Sequence, residues 1–415
     1  MDLKEPSAKY LVEPTYKQTD AGVLPCGWEV KRIGELEPFI TSGSRGWAAY
    51  YSDRGSPFIR ITNLSRTCIY PDLEDLRFVS LAANDSEAAR TNLQVGDVLL
   101  SITADIGIVG YVDARVPTPA YINQHIALVR FDSRRISPKY VSYFLASEGP
   151  QRLFRALTDS GAKAGINLTT VQKIHLALPP TKAEQEAIAE ALSDADALIE
   201  SLEQLVAKKR LIKQGAMQEL LTGKRRLPGF SGEWEVRAIG DVADCLDNLR
   251  LPLNDAQRSK RKGDYPYCGA NGVLDHIDDY CVDDAVVLIA EDGGYFDEYA
   301  TRAIAYRMSG KFWVNNHAHI LKSKPQFDQD YLFYSLVHKN VLSFLASGTR
   351  AKLNKAELNK IMICQPSAPA EQSAIAAVLS EMDAALAALE TKLTKACQIK
   401  QGMMQNLLTG RIRLV

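Results

Sequence analysis

The chain has 415 residues, of which 46% are hydrophobic and 24% charged, and its formal net charge is −1. These values are typical of a soluble globular protein with two or three domains. Because the net charge is near zero, no overall field draws the chain to nucleic acid or to a membrane. Any such affinity must come from local patches or from a partner.

The seven cysteines never form a CxxC pair and follow no regular spacing. That pattern is typical of free thiols in a reducing compartment. The first twenty residues lack the apolar segment of a signal peptide, and the longest apolar run, near residues 285–290, is too short to span a bilayer. We therefore expect a cytoplasmic protein without membrane contact.

After an N-terminal segment of residues 1–27, residues 28–178 mix short strand-like runs with helical ones such as Tyr140–Leu145. The strand-like runs are Phe58–Ile61, Val98–Ile102 and Ile126–Phe131. We predict an α/β globular domain here, with Trp28 at its start.

Residues 179–227 carry apolar side chains at steps of three and four, which lays a narrow apolar stripe along one helix face. Such a stripe is typical of a coiled coil. The helical stretch of roughly 40 residues would be about 60 Å long, and Gly223 follows its last leucine as a C-terminal cap. The stripe consists of Ile188, Ala191, Ala195, Leu198, Leu202, Leu205 and Ile212.

The segment Pro228–Gly232 is predicted to be a hinge. A second globular domain follows within residues 228–364, and a second helical region within residues 365–415. Val286–Ala290 is one of the strand-like runs of this domain, and Tyr331–Val337 is one of its helical runs.

The second helical region repeats the first at an offset of 187 residues. Ile212–Gly223 reads IKQGAMQELLTG, and Ile399–Gly410 reads IKQGMMQNLLTG. Between residues 184–227 and 371–414, 24 of 44 positions are identical, far above chance. A lone helix of this length would not persist in water, so the two copies are expected to pack on each other.

The globular domains share only landmarks. Trp234 corresponds to Trp28, and Val314–His317 corresponds to Ile122–His125, while the intervening sequences differ widely. Because the helices are alike and the domains are not, we expect equivalent partners on the helices and different targets on the domains.

These features resemble the specificity (S) subunit of Type I restriction–modification systems over essentially the whole chain. The resemblance is carried by the duplicated helix signature, with EQxAI near its start and KQGxMQxLLTG near its end, and by Trp28 and Trp234. Strings similar to recurrent classes of recognition domain are Pro57–Arg60 and Val95–Leu99 in the first domain and Tyr265–Gly272 and Ala290–Gly294 in the second.

The resemblance implies an α/β (α+β) fold with two pseudo-symmetric target-recognition domains linked by two long antiparallel coiled-coil helices. It also implies a non-catalytic chain that binds a bipartite, asymmetric site in double-stranded DNA and holds two methylation subunits, which modify adenine N6. Restriction subunits, which are motor nucleases, would complete the complex. The chain itself would bind no cofactor: S-adenosylmethionine belongs to the methylation partner, and ATP and Mg²⁺ belong to the restriction partner.

Polar residues of the predicted loops are the candidate DNA contacts, because basic groups neutralise phosphates while aromatic and amide groups reach bases. The alternative for each is a solvated surface. The candidates in the first domain are Arg45, Arg54, Arg60, Asn63, Lys163 and Asn167. Those in the second domain are Arg250, Arg258, Lys260, Arg261, Lys262, Tyr265, Tyr267, Asn271, Arg350, Lys352 and Asn354.

The repeated helix signature supplies the candidate partner contacts, although its polar residues could instead only solubilise a coiled coil. A glycine recurs mid-helix, at Gly215 and Gly402, where it costs up to about 1 kcal/mol relative to alanine and so favours close packing on a helix or a partner. The candidate contacts are Lys213, Gln214, Gln218, Lys400, Gln401 and Gln405.

We predict neither a catalytic residue nor a metal site. The chain has no GxxxxGK(S/T) phosphate loop and no Asp/Asn-Pro-Pro-Tyr/Phe string of adenine methyltransferases. The histidines and cysteines considered for zinc have no usual spacing; they are His317, His319, Cys268 and Cys281.

Two other functions stay open, a coiled-coil adaptor whose domains bind protein and a stand-alone enzyme. The basic cluster Arg250–Lys262 and the two divergent domains favour DNA recognition.

Overall fold

The computed structural model describes residues 15–43, 45–81, 86–159, 165–346 and 351–414. The chain divides into two compact units, one of residues 1–203 and 392–415 and the other of residues 204–391. Two helices of 39 residues, Lys182–Leu220 and Pro369–Leu407, each continue from one unit into the other. Among the described residues, no helix is long and apolar enough to cross a membrane.

The first unit contains two four-stranded sheets. One is antiparallel throughout, in the order Phe39–Ser42, Ile126–Arg130, Val98–Ser101, Val109–Tyr111. The other has a parallel first pair, in the order Tyr121–Ile122, Ser56–Ile59, Arg77–Val79, Tyr51–Ser52. Two-stranded antiparallel sheets join Tyr16–Thr19 to Gly22–Pro25 and Glu29–Arg32 to His175–Leu178. The shorter α-helices are Ser86–Thr91, Pro138–Ala146, Glu148–Asp159 and Leu168–Gln172.

The second unit repeats this plan. Its antiparallel sheet has the order Ala243–Cys245, Ala318–Ser323, Val286–Ala290, Ala305–Met308. Its mixed sheet has the order Gly272–Ile277, Lys262–Gly269, Lys311–Val314, Val282–Asp283, with the middle pair parallel. Trp234–Ala238 pairs with Met362–Pro366. The shorter α-helices are Ile239–Val242, Asp255–Ser259, Gln329–Leu336 and Lys355–Leu358. The predicted fold, two matched α/β domains and two long helices, is confirmed.

Local sequence explains these elements. Val286–Ala290 is buried at all five positions, as expected for a central strand that is covered on both faces. Ser137 caps the helix Pro138–Ala146 by accepting a hydrogen bond from the backbone N–H of Tyr140, and Asp328 caps Gln329–Leu336 in the same way. Such caps satisfy backbone donors that the first helical turn leaves free.

The long helices run antiparallel wherever they contact each other within a unit. In the first unit Asp196 faces Lys400, and in the second Lys213 faces Asp383. The prediction that the apolar stripe makes the contact is wrong in the middle of the stripe, because Leu198 is 55% exposed. Some contact positions are instead occupied by charged residues that form ion pairs, and a pattern of hydrophobic residues does not reveal them.

Candidate nucleic-acid interface

The candidate residues of the first domain lie in two different environments. Arg45 and Arg54 are exposed. Arg60 is half-buried, and its guanidinium lies 3.4 Å from the Asp75 carboxylate. Asn63 is 2% exposed and donates to the carbonyls of Asp72 and Asp75, both at 3.1 Å. A buried amide with these bonds closes its own loop, which gives Asn63 a structural role, and its contact with DNA stays a prediction.

The basic cluster of the second domain is largely neutralised by acids of its own unit. Lys262 Nζ lies 2.7 Å from both oxygens of Asp275, and this hydrogen bond holds the pKa of that carboxyl below its usual value. Arg261 lies 2.9 Å from Asp278 and stacks over Trp313 at 4.9 Å from the ring centre. These cations must exchange their partners before they can bind phosphate.

Three more candidates of this cluster differ in exposure. Arg258 pairs with Asp255 and lies over the Tyr267 ring at 5.1 Å. Tyr267 is 1% exposed, and its hydroxyl donates to the Leu253 carbonyl at 3.2 Å. Its side chain therefore packs inside the domain, and its contact with DNA stays a prediction. Lys260 is exposed and has no ion pair within the part of the chain that the structure describes.

An aromatic surface continues beside the cluster. The rings of Tyr265 and Tyr280 are 5.2 Å apart, and Lys311 Nζ lies 4.6 Å from the Tyr280 ring centre. The Tyr280 hydroxyl raises the pKa of Lys311, which keeps that side chain charged. Asn271 is exposed and donates to the Gly293 carbonyl at 2.9 Å. This surface combines cationic, aromatic and amide groups.

Arg250 belongs to a buried ion-pair network instead. Its guanidinium bonds Glu291 and lies 3.1 Å from Asp247, and Lys352 Nζ reaches the other oxygen of Glu291 at 2.9 Å. Burial works to raise the pKa of Glu291, but the hydrogen bonds from Arg250 and Lys352 hold it below its usual value. The Arg250 side chain is only 17% exposed and is held by acids of its own domain, and its contact with DNA stays a prediction. Lys352 stays 45% exposed.

The same network includes His319, which is 1% exposed. Its Nδ1 lies 2.7 Å from Asp247 and its Nε2 lies 2.7 Å from the Leu353 carbonyl. Among the described residues, Cys245, Asp247 and His319 bring ligand atoms within 4.8 Å of one another. Burial and Asp247 raise the pKa of Cys245 to about 12, and Arg250 already supplies positive charge at Asp247. This chemistry favours an ion-pair network over a metal centre.

The remaining candidates lie at helix starts or outside the described residues. Asn167 caps the helix Leu168–Gln172 by accepting from the Thr170 N–H at 2.8 Å. Asn354 is the N-cap residue of the helix Lys355–Leu358, but its side chain makes no capping hydrogen bond. Lys163 and Arg350 lie outside the described residues.

The two lysines of the helix signature hold the helices together. Lys400 is 8% exposed and lies 2.5 Å from Asp196, and it also donates to the Thr67 carbonyl at 2.8 Å. Lys213, which is 187 positions earlier, pairs with Asp383. Both ammonium groups are engaged inside the chain, and their contact with a partner stays a prediction.

A second matched pair of contacts involves residues that were not proposed as candidates. Arg226 forms a two-bond ion pair with Glu371, and Arg413 forms the same pair with Glu184. Both glutamate side chains are 1% exposed. The signal was available in the sequence, because both ends of each pair belong to the identical positions of the repeat.

The predicted glutamine contacts are placed differently from the lysines. Gln214, Gln218, Gln401 and Gln405 are all exposed. Gly215 lies beside the first pair and Gly402 beside the second. Apart from the adjoining residues and backbone of the same helix, no atom of the described chain lies within 4 Å of where a Cβ would be at either glycine. The packing of the described chain therefore does not require these two glycines.

Comparison with known proteins identifies the family. A family model described as the Type I restriction modification DNA specificity domain matches residues 25–208 and again residues 231–398. The chain belongs to this family. DNA sequence recognition is the function common to its members, and the two matches coincide with the two repeats of domain and helix.

Known members resemble the chain over different lengths. The putative specificity subunit S.HindORF215P of Haemophilus influenzae is 35% identical over 144 residues, which are 34% of this chain and 35% of that protein. The putative MjaX specificity subunit of Methanocaldococcus jannaschii is 24% identical over 98% of each chain.

Solved structures share the fold. The S subunit of the M. genitalium Type I system has a TM-score of 0.64 at 14% identity, covering 95% of this chain and 99% of that one. A chain solved in work on the assembly and conformational transition of the Type I system has a TM-score of 0.52 at 15% identity, covering 94% and 99%.

Proposed function

We propose that this chain recognises a bipartite, asymmetric site in double-stranded DNA, with one globular domain for each half. The observation that carries the proposal is one scaffold present twice with unlike loops. The antiparallel sheets of the two domains have the same order of strands, and each domain adds a mixed sheet with one parallel pair. However, the exposed Arg45 and Arg54 of the first domain differ from the acid-paired Arg261 and Lys262 of the second. Different loops on one frame suit a target with two different halves.

The chain acts in this proposal as a non-catalytic subunit that positions two adenine-N6 methylation subunits. S-adenosylmethionine is held by those partners, and ATP and Mg²⁺ by restriction subunits where these join. We place the complex in the cytoplasm, where its DNA is. The relative solved in work on Type I assembly is consistent with such partners.

The repeated helix surface supports two equivalent docking points. Each has a pair of exposed glutamines next to a glycine with open space above it, namely Gln214, Gln218 and Gly215, and Gln401, Gln405 and Gly402. A glycine in a helix interior is unfavourable by roughly 0.5–1 kcal/mol relative to alanine. Since nothing in the described chain occupies the space, we infer that a partner backbone approaches there.

The direct test uses the chain purified with its methylation subunit and S-adenosylmethionine. The complex is incubated with a library of random duplex DNA, and the methylated adenines are sequenced. We expect a motif of two short specific parts separated by a gap of constant length. A methylated product without such a motif contradicts the proposal. A library without methylation, together with capture of a protein by both domains, supports the adaptor function.

The docking points are tested by Gly215→Ala and Gly402→Ala. We expect each variant to be more stable alone by about 0.5–1 kcal/mol and to bind the methylation subunit more weakly. Stability is measured by urea denaturation and binding by titration calorimetry. Glu203→Ala, a change at an exposed position of the same helix, is the control. Unchanged binding by both glycine variants removes this part of the proposal.

A further inference from the structure

Residues 45–54 of the first domain, which include the short edge strand Tyr51–Ser52 and are called the loop below, present an unusual set of side chains to solvent. Tyr50 and Tyr51 are each 47% exposed, and Arg45 and Arg54 are exposed beside them. Asp53 is its only acid. Two exposed tyrosines and two arginines within ten residues form a surface that is both aromatic and cationic.

The loop is anchored to the domain by Trp47, although most of its other side chains are exposed. Trp47 is 3% exposed, and its ring packs 5.6 Å from Phe58 and 5.3 Å from Tyr121. Its indole N–H donates to the Glu87 carboxylate at 3.2 Å. After the loop, Gly55 has a φ of 140°, and a Cβ there would lie 2.5 Å from the Val79 carbonyl oxygen. A rigid loop loses little conformational entropy on binding, which favours a preformed contact surface.

The charges of this loop differ from those of the rest of the domain. Arg66 pairs with Asp105, and Arg130 lies 2.6 Å from the buried carboxylate of Asp97. Neither Arg45 nor Arg54 has an ion pair in the part of the chain that the structure describes. Within the described part of the domain, no internal ion pair has to be broken before these two arginines can bind a polyanion.

We propose that Tyr50, Tyr51 and Arg54 read base edges of one half of the DNA site from the major groove, and that Arg45 binds an adjacent phosphate. The inference rests on the proposed function and names the residues that carry its first half. An arginine guanidinium can donate to both O6 and N7 of guanine, and a tyrosine offers an apolar ring for the thymine methyl and a hydroxyl for a base or phosphate.

The test uses the complex of chain and methylation subunit on two DNA libraries, each randomised in one half of the wild-type motif. For the double variant Tyr50→Ala/Tyr51→Ala, and for Arg54→Ala, we expect preference in one half to fall about ten-fold or more while the other half is unchanged. Tyr50→Phe/Tyr51→Phe should keep most of the preference if the rings carry it. Arg54→Lys should not restore it, because an ammonium cannot form the paired bonds of a guanidinium.

A matched tyrosine outside the loop provides the control. Tyr16 is 44% exposed in the hairpin of Tyr16–Thr19 and Gly22–Pro25, and Tyr16→Ala should leave both halves unchanged. Arg45→Ala should weaken binding equally for all sequences and reduce the salt dependence of the affinity by about one unit of slope.

The outcomes separate this inference from the proposed function. If wild type has a bipartite motif and the loop variants keep both halves, the loop does not read bases and the inference is overturned. An equal loss in both halves also overturns it, since that result indicates a general contact with DNA or with a partner. A wild-type complex without any motif removes the proposed function itself.

Discussion

The two units agree closely where the long helices meet the globular domains, and they differ where the loops reach solvent. In each unit a glutamate at a helix start pairs with an arginine beyond the end of the other helix, as Glu184 with Arg413 and Glu371 with Arg226. In each, the glutamine after that glutamate bonds a nearby proline carbonyl. The residues that the two units share thus form the contacts where each globular domain meets the long helices. Each of these two sets of contacts is called a seat below, the first in the first unit and the second in the second unit.

The loops show the opposite behaviour. The first domain exposes Tyr50 and Tyr51 beside Arg45 and Arg54, which have no ion pair among the described residues, whereas the second holds Arg261 and Lys262 on its own aspartates. Substitutions in such loops leave the helix contacts intact, so the loops can diverge while the seats stay the same. In the proposed function, this separation would allow one frame to carry two different specificities.

The largest effect is expected from changing the length of the frame itself. We predict that four residues inserted after Lys209, with four more after Glu390, shift the preferred gap between the two half-sites. Four helical residues advance a helix by about 6 Å and turn it by about 40°. Placing both insertions there keeps Arg210 with Glu390 and Lys213 with Asp383. Methylation of DNA with graded gaps measures the shift.

An insertion in which residues are added after Lys209 alone is the control, because it should disrupt the antiparallel pairing and lower stability without defining a new gap. Unchanged preference in the double insertion would show that the helices do not set the spacing.

The buried ion pairs test whether the two seats are equivalent. We expect Arg226→Met and Arg413→Met each to lower the free energy of unfolding by about 3–5 kcal/mol, because each leaves a buried carboxylate without its partner. Urea denaturation measures both. Arg225→Met removes an arginine that is 59% exposed and should change stability by less than about 0.5 kcal/mol. A loss of stability in only one of the two variants would show that the two ion pairs are not equivalent.

The repeat allowed the two long helices to be predicted from the sequence, but it did not reveal the surroundings of most candidate DNA-contact residues. Identical positions at a constant offset locate both long helices to within a few residues, because helix signals are local in sequence. The internal partners of Asn63, Arg250 and Lys213 could not be predicted. These partners are the Asp75 backbone carbonyl and the carboxylates of Glu291 and Asp383, and the sequence pattern does not show which polar groups the fold will bring together. Only the structure therefore shows which charged side chains are exposed.

The helix caps offer a finer comparison between the seats. Gly223 and Gly410 have φ of 72° and 67°, and an alanine in this left-handed region costs about 1–2 kcal/mol. A Cβ at Gly223 would lie 3.0 Å from the Trp234 ring, whereas one at Gly410 would lie 2.5 Å from Pro25. We expect Gly410→Ala to destabilise more than Gly223→Ala in urea denaturation. The reverse order would show that the contacts around Gly410 in the first unit relax more easily than those around Gly223 in the second.

The smallest expected difference between the units is in the reactivity of their cysteine thiols, and it involves no loss of stability. Cys26 and Cys397 are exposed, and both belong to the first unit. In the second unit burial raises the pKa of Cys245 and Cys268 to about 12, with a lesser rise at Cys281.

Only the thiolate is nucleophilic, so a thiol with a raised pKa stays protonated and unreactive near pH 8. We expect a maleimide to label Cys26 and Cys397 within minutes and the cysteines of the second unit only after urea is added, as peptide mass spectrometry would show. Rapid labelling of Cys245 or Cys268 in the native protein would mean that the second domain opens locally more often than its packing indicates, and the two domains would then differ in dynamics as well as in their loops.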